Sequence, residues 1–103
     1  LIDNGAPKVF EKSKALIELK KIQAALAKEV IEVEAGNGAV KVKINGEQKI
    51  QKVTLDPELL RDVELERVEK FIESAVTQAI TRSQQLAAEK MRSVAGGLGL
   101  PGL

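Results

Sequence analysis

A chain of 103 residues, 44% of them hydrophobic, has room for one domain around one modest core. With two phenylalanines and no Trp or Tyr, that core has to come from Val, Ile, Leu and Ala, so the isolated protomer is expected to be marginal and to gain from oligomerisation. Cys and His are absent, which excludes disulfides, thiolate or imidazole metal sites, and nucleophilic catalysis through a Cys–His or Ser–His pair; the net charge of +1 says little until its distribution is followed along the chain.

Residues 1–8, opening LIDNGAP, are polar and carry Gly and Pro, and are expected to be a frayed lead-in. A first helix is predicted from about Val9 to Glu29. Ala15, Leu16, Leu19, Ile22, Leu26 and Val30 fall on one side of its wheel, and Lys14, Lys21 and Lys28 recur every seven residues on nearly the opposite side. Residues 1–30 hold six lysines against four acids.

The period then falls from 3.6 to 2. VIEVEAG alternates around Ile31 and Val33, and Gly36-Asn37-Gly38 signals a turn. AVKVKI follows, placing Val40, Val42 and Ile44 on one face and Lys41 and Lys43 on the other. Asn45-Gly46 is a strong hairpin signal, and QKIQKVTL is the third strand. A strict two-residue turn would oppose Ile44 to Glu47; pairing Ile44 with Ile50 needs an odd-length loop, and the differing parity of Ile50 and Val53 calls for a bulge near Gln51-Lys52.

Asp56-Pro57 starts a short helix, with Asp56 as cap and Pro57 at the first helical position. A longer helix is predicted from about Glu64 to Val94, with Leu65, Val68, Ile72, Ala75, Val76, Ala79, Leu86 and Ala87 on one face. At 1.5 Å per residue it runs to roughly 46 Å, against about 20 Å for a six-residue strand. Its far half is therefore expected to be solvated or packed on another chain, and Leu86, Ala87 and Met91 favour the second, a homodimer. The closing GGLGLPGL cannot continue a helix and is expected to be a flexible tail over 96–103, leaving 1–95 as the single domain.

Residues 57–76 hold three bases against six acids, whereas 77–103 hold three bases against one. Asp62, Glu64, Glu66, Glu69 and Glu73 are the sole candidates for acid–base or metal work, but they suit the positive end of the long helix and stand on its solvent side. Gly36-Asn37-Gly38 lacks the Lys-Ser/Thr and helix start of a phosphate loop. No enzyme, metal or cofactor is therefore expected. The basic residues remain: Lys41 and Lys43 on one strand with Lys49 and Lys52 on the next, and the lysines and arginines of the terminal helices. The sheet lysines read equally as the ordinary wet face of an antiparallel sheet; if nucleic acid is the partner, the lack of base-stacking aromatic residues on that face makes duplex DNA contacted through its phosphates the fitting target. No secretory signal or apolar run of about 18 residues is present, so no membrane partner is expected; the opening Leu1 in place of Met is expected to reflect trimming or an expression remnant, which leaves a lost leader open.

The stretch AGNGAVKVKINGEQKIQKVTLDPELL, together with Ala75, Ala79, QLAAEKM and the closing GGLGLPGL, resembles the YbaB/EbfC family of bacterial nucleoid-associated proteins. One departure is Gln48, where the family often has a second turn glycine. The resemblance implies an α+β fold, an α-β-β-β-α protomer with a three-stranded antiparallel meander and a long C-terminal helix. It also implies a homodimer joined largely through its sheets, with long helices protruding like tweezer arms. DNA binding in nucleoid organisation or gene regulation, location in the cytoplasm and nucleoid, and no cofactor follow as expectations. The basic positions that match the family's first and last helices are Lys14, Lys21 and Lys28 with Arg82, Lys90 and Arg92; Lys41 and Lys43 are secondary. Candidate dimer-interface residues are Val40, Val42, Ile44, Leu86 and Met91. The alternative is a protein-interaction adaptor or chaperone-like dimer that holds another protein with its helix arms or its C-terminal tail.

Overall fold

A computed structural model describes the backbone of residues 5–97 and the side chains of residues 14–93. In chain order the elements are α1 (Gly5–Lys28), β1 (Val30–Ala35), β2 (Val40–Asn45), β3 (Ile50–Leu55), α2 (Pro57–Leu60) and α3 (Leu65–Gly97). The expected α-β-β-β-α order and the α+β class are both present. Helix α1 begins at Gly5, so residues 5–8 are helical where a lead-in was expected; α3 runs on through Gly97, three residues beyond Val94. The tail expectation for 98–103, and the lead-in expectation for 1–4, lie outside the described residues.

The strands form one antiparallel sheet in the order β1-β2-β3. Ile44 pairs with Ile50 and Val42 with Val53, while Lys43 pairs with Lys52, so Gln51 is the extra residue of a bulge. Both features follow from the parity argument: without the bulge, either Ile50 or Val53 would point away from the core. Residues 45–49 form the odd-length loop, and its left-handed residue is Gln48, with φ 65°.

Asn45-Gly46 marks a turn for a reason other than the usual hairpin one. Gly46 does not take up a left-handed conformation; it is needed because a Cβ there would lie 2.7 Å from Leu26 Cδ2 and 2.8 Å from the Leu26 carbonyl oxygen. The Gly46 N–H donates to the carbonyls of Leu26 (2.8 Å) and Glu29 (3.1 Å), and Asn45 Nδ2 donates to the Ala27 carbonyl (3.3 Å). The turn thereby satisfies carbonyls at the end of α1 that have no partner within the helix. Asn45 Oδ1 accepts from the N–H groups of Glu47 (2.9 Å) and Lys49 (3.0 Å), which holds the loop in shape. From α3, Ser83 Oγ donates to the Asn45 carbonyl (2.8 Å) and accepts from the Gln48 N–H (3.0 Å), with Ser83 and Asn45 both buried.

At the other end of the sheet, the Gly36–Gly38 turn rests on Phe71. A Cβ on Gly36 would fall 2.6 Å from the Phe71 ring, and Gly36 itself has φ 64°. Phe71 and Ser83 stand about 18 Å apart along α3 at 1.5 Å per residue, which matches the about 20 Å length of a six-residue strand. The helix is thus fastened to both ends of the hairpins. Between these points Ala75 and Ala79 are fully buried against Val33, Val40, Val42 and Ile44. Small residues on the contact stripe let the α3 backbone approach the sheet closely.

Helix α3 lies over β1 and β2 and leaves β3 uncovered. All six residues of β3 are exposed, although Ile50, Val53 and Leu55 pair with the buried Ile44, Val42 and Val40 and share their face. This corrects the expected interface. Val40, Val42 and Ile44 are 0% exposed within the chain's own core, so they have no surface to offer a second copy, because α3 already occupies it. The overhang of α3 past the sheet is present, but the chain itself covers part of it: past Ser83, Lys90 meets the α1 end through Glu29 (3.0 Å), with Leu86 and Ala87 half-buried. Met91 remains exposed, at 45%. The molecule extends 73 Å along its long axis against 23 and 18 Å across.

Replacing Ser83 with Ala removes one hydrogen bond from each of the Asn45 carbonyl and the Gln48 N–H, which still bond each other (3.1 Å), and is expected to cost about 0.5–1.5 kcal/mol in urea unfolding. Gln48→Gly removes the left-handed strain while keeping the N–H, and is expected to stabilise by up to about 1 kcal/mol in the same measurement.

Candidate nucleic-acid interface

Lysines seven apart on a helix nearly eclipse one another, drifting by about 20° per heptad. In α1, Lys14, Lys21 and Lys28 are accordingly all exposed, and the row spans about 21 Å at 1.5 Å per residue. They are not equally free. Lys21 Nζ lies 3.6 Å from Glu18 Oε1 one turn back, whereas Lys14 and Lys28 have no ion-pair partner among the described residues.

On α3, Arg82 and Arg92 are exposed and likewise unpaired among the described residues. Lys90 differs from both. Its Nζ lies 3.0 Å from Glu29 Oε1, each side chain about 40% exposed, and this pair joins the end of α1 to α3. Its charge is shared with a structural contact. Ten residues separate Arg82 from Arg92, which turns them about 80° apart on the helix, so the α3 cations do not form a single stripe as the α1 lysines do.

The start of α3 is the acidic end. Glu64, Glu66, Glu69 and Glu73 are exposed there, and the Glu64 carbonyl accepts from Arg67 and Val68, opening the helix. The Arg67 guanidinium sits 5.8 Å from the centre of the Phe71 ring, a cation–π distance. Among the described residues no group of three or more acidic side chains converges as a metal site would require. The cations therefore lie towards the end of α3 away from its acidic start, alongside the lysine row of α1.

The sheet adds a set of residues that sequence reading placed second. On the face away from α3, Lys41 and Lys43 of β2 stand beside Lys52 and Thr54 of β3, all exposed. Their neighbours on β1 are Glu34 and Glu32, the latter 3.9 Å from Lys43 Nζ. Lys52, one of the lysines expected on a positive sheet face, is brought directly opposite Lys43 by the Gln51 bulge.

Residues 9–98 match the model of the YbaB/EbfC DNA-binding family. The chain belongs to that family. Among YbaB/EbfC relatives, a nucleoid-associated protein of Dictyoglomus thermophilum is 37% identical over 94 residues, covering 84% of this chain and 90% of that protein. Another, from Chloroflexus aurantiacus, is 36% identical over 81 residues, covering 79% of this chain and 81% of its own. The crystal structure of an uncharacterised Helicobacter pylori protein has a similar fold, with a TM-score of 0.63 at 18% identity over 89% of this chain and 90% of that one.

Charge already engaged in a protein ion pair releases fewer counterions on meeting a phosphate. Lys14→Gln and Lys28→Gln are therefore expected to lower the salt slope of DNA binding by about 1 each, with Lys21→Gln and Lys90→Gln lowering it less; fluorescence anisotropy across a salt series measures this.

Proposed function

We propose that this protein is a homodimeric nucleoid-associated protein, without enzymatic activity, that binds duplex DNA mainly through phosphate contacts. Membership of a DNA-binding family across residues 9–98 is the observation that carries the DNA reading, and relatives named as nucleoid-associated proteins favour a place in nucleoid organisation or gene regulation in the bacterial cytoplasm. The absence of Trp and Tyr argues for phosphate contact over stacking on exposed bases. Among the described residues no helix is long and apolar enough to cross a membrane.

The dimer rests on β3. Ile50, Val53 and Leu55 are each close to 45% exposed on the face that carries the core, and Leu59 of α2 adds a further apolar side chain at 51%. Beside them runs the unpaired edge of β3, which invites another strand. A second copy docked along β3 covers both the apolar side chains and the open edge, and brings two sets of helix cations into one particle. Two linked contact sets raise apparent affinity without any new contact.

Val53→Glu places a charge in the uncovered strip at a side chain that is 44% exposed, leaving the 0%-exposed core residues themselves unchanged. Because Val53 lies directly across from buried Val42, circular dichroism first checks the fold; the folded variant is expected to be a monomer by analytical ultracentrifugation, with DNA affinity at least tenfold weaker, and a dimer of unchanged affinity contradicts docking along β3. For the wild type, log affinity for a random-sequence duplex is expected to fall linearly and steeply with log salt. No retention of duplex at low salt contradicts the DNA reading.

A further inference from the structure

The solvent face of the sheet is zoned by charge. Cross-strand partners share a face, so two rows run across it: Glu32–Lys43–Lys52 and Glu34–Lys41–Thr54. Acids occur in these rows on β1 alone, and bases on β2 and β3 alone. A face selected for solubility would gain from alternating the signs, because opposite charges stabilise a ladder and like charges placed directly opposite destabilise it. Here Lys43 stands directly opposite Lys52. The one partial relief is Glu32, whose Oε2 lies 3.9 Å from Lys43 Nζ with both side chains about half exposed. Lys41 and Lys52 have no ion-pair partner among the described residues. All six side chains are exposed, and α3 packs on the opposite face, where Val33, Val40, Val42 and Ile44 meet Ala75 and Ala79.

We propose that this face is a phosphate-contacting surface in its own right, in which Lys41, Lys43 and Lys52 engage duplex DNA separately from the helix cations. The proposal rests on the DNA-binding reading above and assigns it a site. The zoning has a direction. The basic strands lie on the β3 side, where the second copy docks, and the acidic β1 lies on the far side. In the dimer the two lysine sets are therefore nearest the two-fold axis, with an acidic margin on either flank. Phosphates are attracted to the centre and repelled at the edges, so the face selects a position for the duplex as well as attracting it. The like-charge pair Lys43–Lys52 is relieved when a phosphate comes between them, so its cost falls on the free protein and is removed in the complex. Lysines on a strand surface make point-charge contacts and carry no base-reading geometry, which fits positioning on the backbone over sequence readout.

The test uses the full chain and a random-sequence duplex, with affinity followed over a salt series. A Lys41→Gln/Lys43→Gln/Lys52→Gln triple variant is expected to bind at least tenfold more weakly at low salt, with a slope smaller by about 1 for each lysine engaged. Glu32→Gln/Glu34→Gln is expected to tighten binding by removing the repelling margin. A Lys14→Gln/Lys28→Gln/Arg82→Gln variant gives the helix contribution for comparison. If the helix variant loses affinity and slope while the sheet variant keeps both, the sheet proposal is overturned and the DNA reading stands. If the wild type retains no duplex at low salt, both fall. Should the sheet triple variant fail to fold, lysine acetylation of the wild type decides. Protection of Lys41, Lys43 and Lys52 by duplex supports the proposal, and equal labelling with and without duplex overturns it.

Discussion

The β2–β3 turn is the point on which the rest of the molecule depends, because three elements otherwise remote in sequence have their backbone groups satisfied there. Asn45 closes its own loop through Oδ1, reaches the end of α1 through Nδ2, and offers its carbonyl to Ser83 of α3. Gly46 completes the junction by bringing its N–H against the Leu26 and Glu29 carbonyls at a distance where no Cβ fits. A buried polar group without a partner costs the full desolvation penalty, so this network acts as one unit: α1, the sheet and α3 take their relative positions from it together. No buried side-chain nitrogen or oxygen among the described residues is left without a partner.

From that junction follows the uneven covering of the sheet. Fastened by Ser83 at one end and by Phe71 beneath Gly36 at the other, α3 lies along β1 and β2, and the small stripe of Ala75, Ala79 and Ser83 holds it close. A single helix is too narrow to shield three strands. Since β3 shares its inner face with the core strands but not their cover, the protomer keeps an apolar strip and an open edge on one side only. In the dimer proposed above, a chain with two aromatic residues would complete its core by association along β3, the one strand whose inner face is left exposed.

Charge is distributed by the same geometry. The candidate contact cations on α1 and at the far part of α3 divide into those engaged within the protein, Lys21 and Lys90, and those exposed without a described partner, Lys14, Lys28, Arg82 and Arg92. The Glu29–Lys90 pair shows why sign alone does not identify a contact residue: it serves to hold two helices together. On the sheet the opposite occurs, since lysines that look like ordinary alternation along one strand become a concentrated patch once β3 is laid beside β2.

What the sequence determined by itself was local. The change of period from 3.6 to 2 at residue 30, the Asp56-Pro57 helix start and the parity conflict between Ile50 and Val53 were enough to place the elements, the odd-length loop and the bulge, because each is a property of neighbouring residues. The motif residues around Gly36, Gly38 and Asn45-Gly46 were likewise enough to indicate the family. Tertiary structure alone decided which apolar strand was left open. Val40, Val42 and Ile44, interface candidates from their alternation, are placed wholly in the core by the path of α3, which leaves Ile50, Val53 and Leu55 exposed. It also decided that Gly46 is needed for close approach to Leu26, that α1 returns to cover part of the α3 overhang, and that Lys52 stands opposite Lys43. Periodicity records which side of an element is apolar, but how much of that side a neighbour covers depends on distances set by residues far away in the chain.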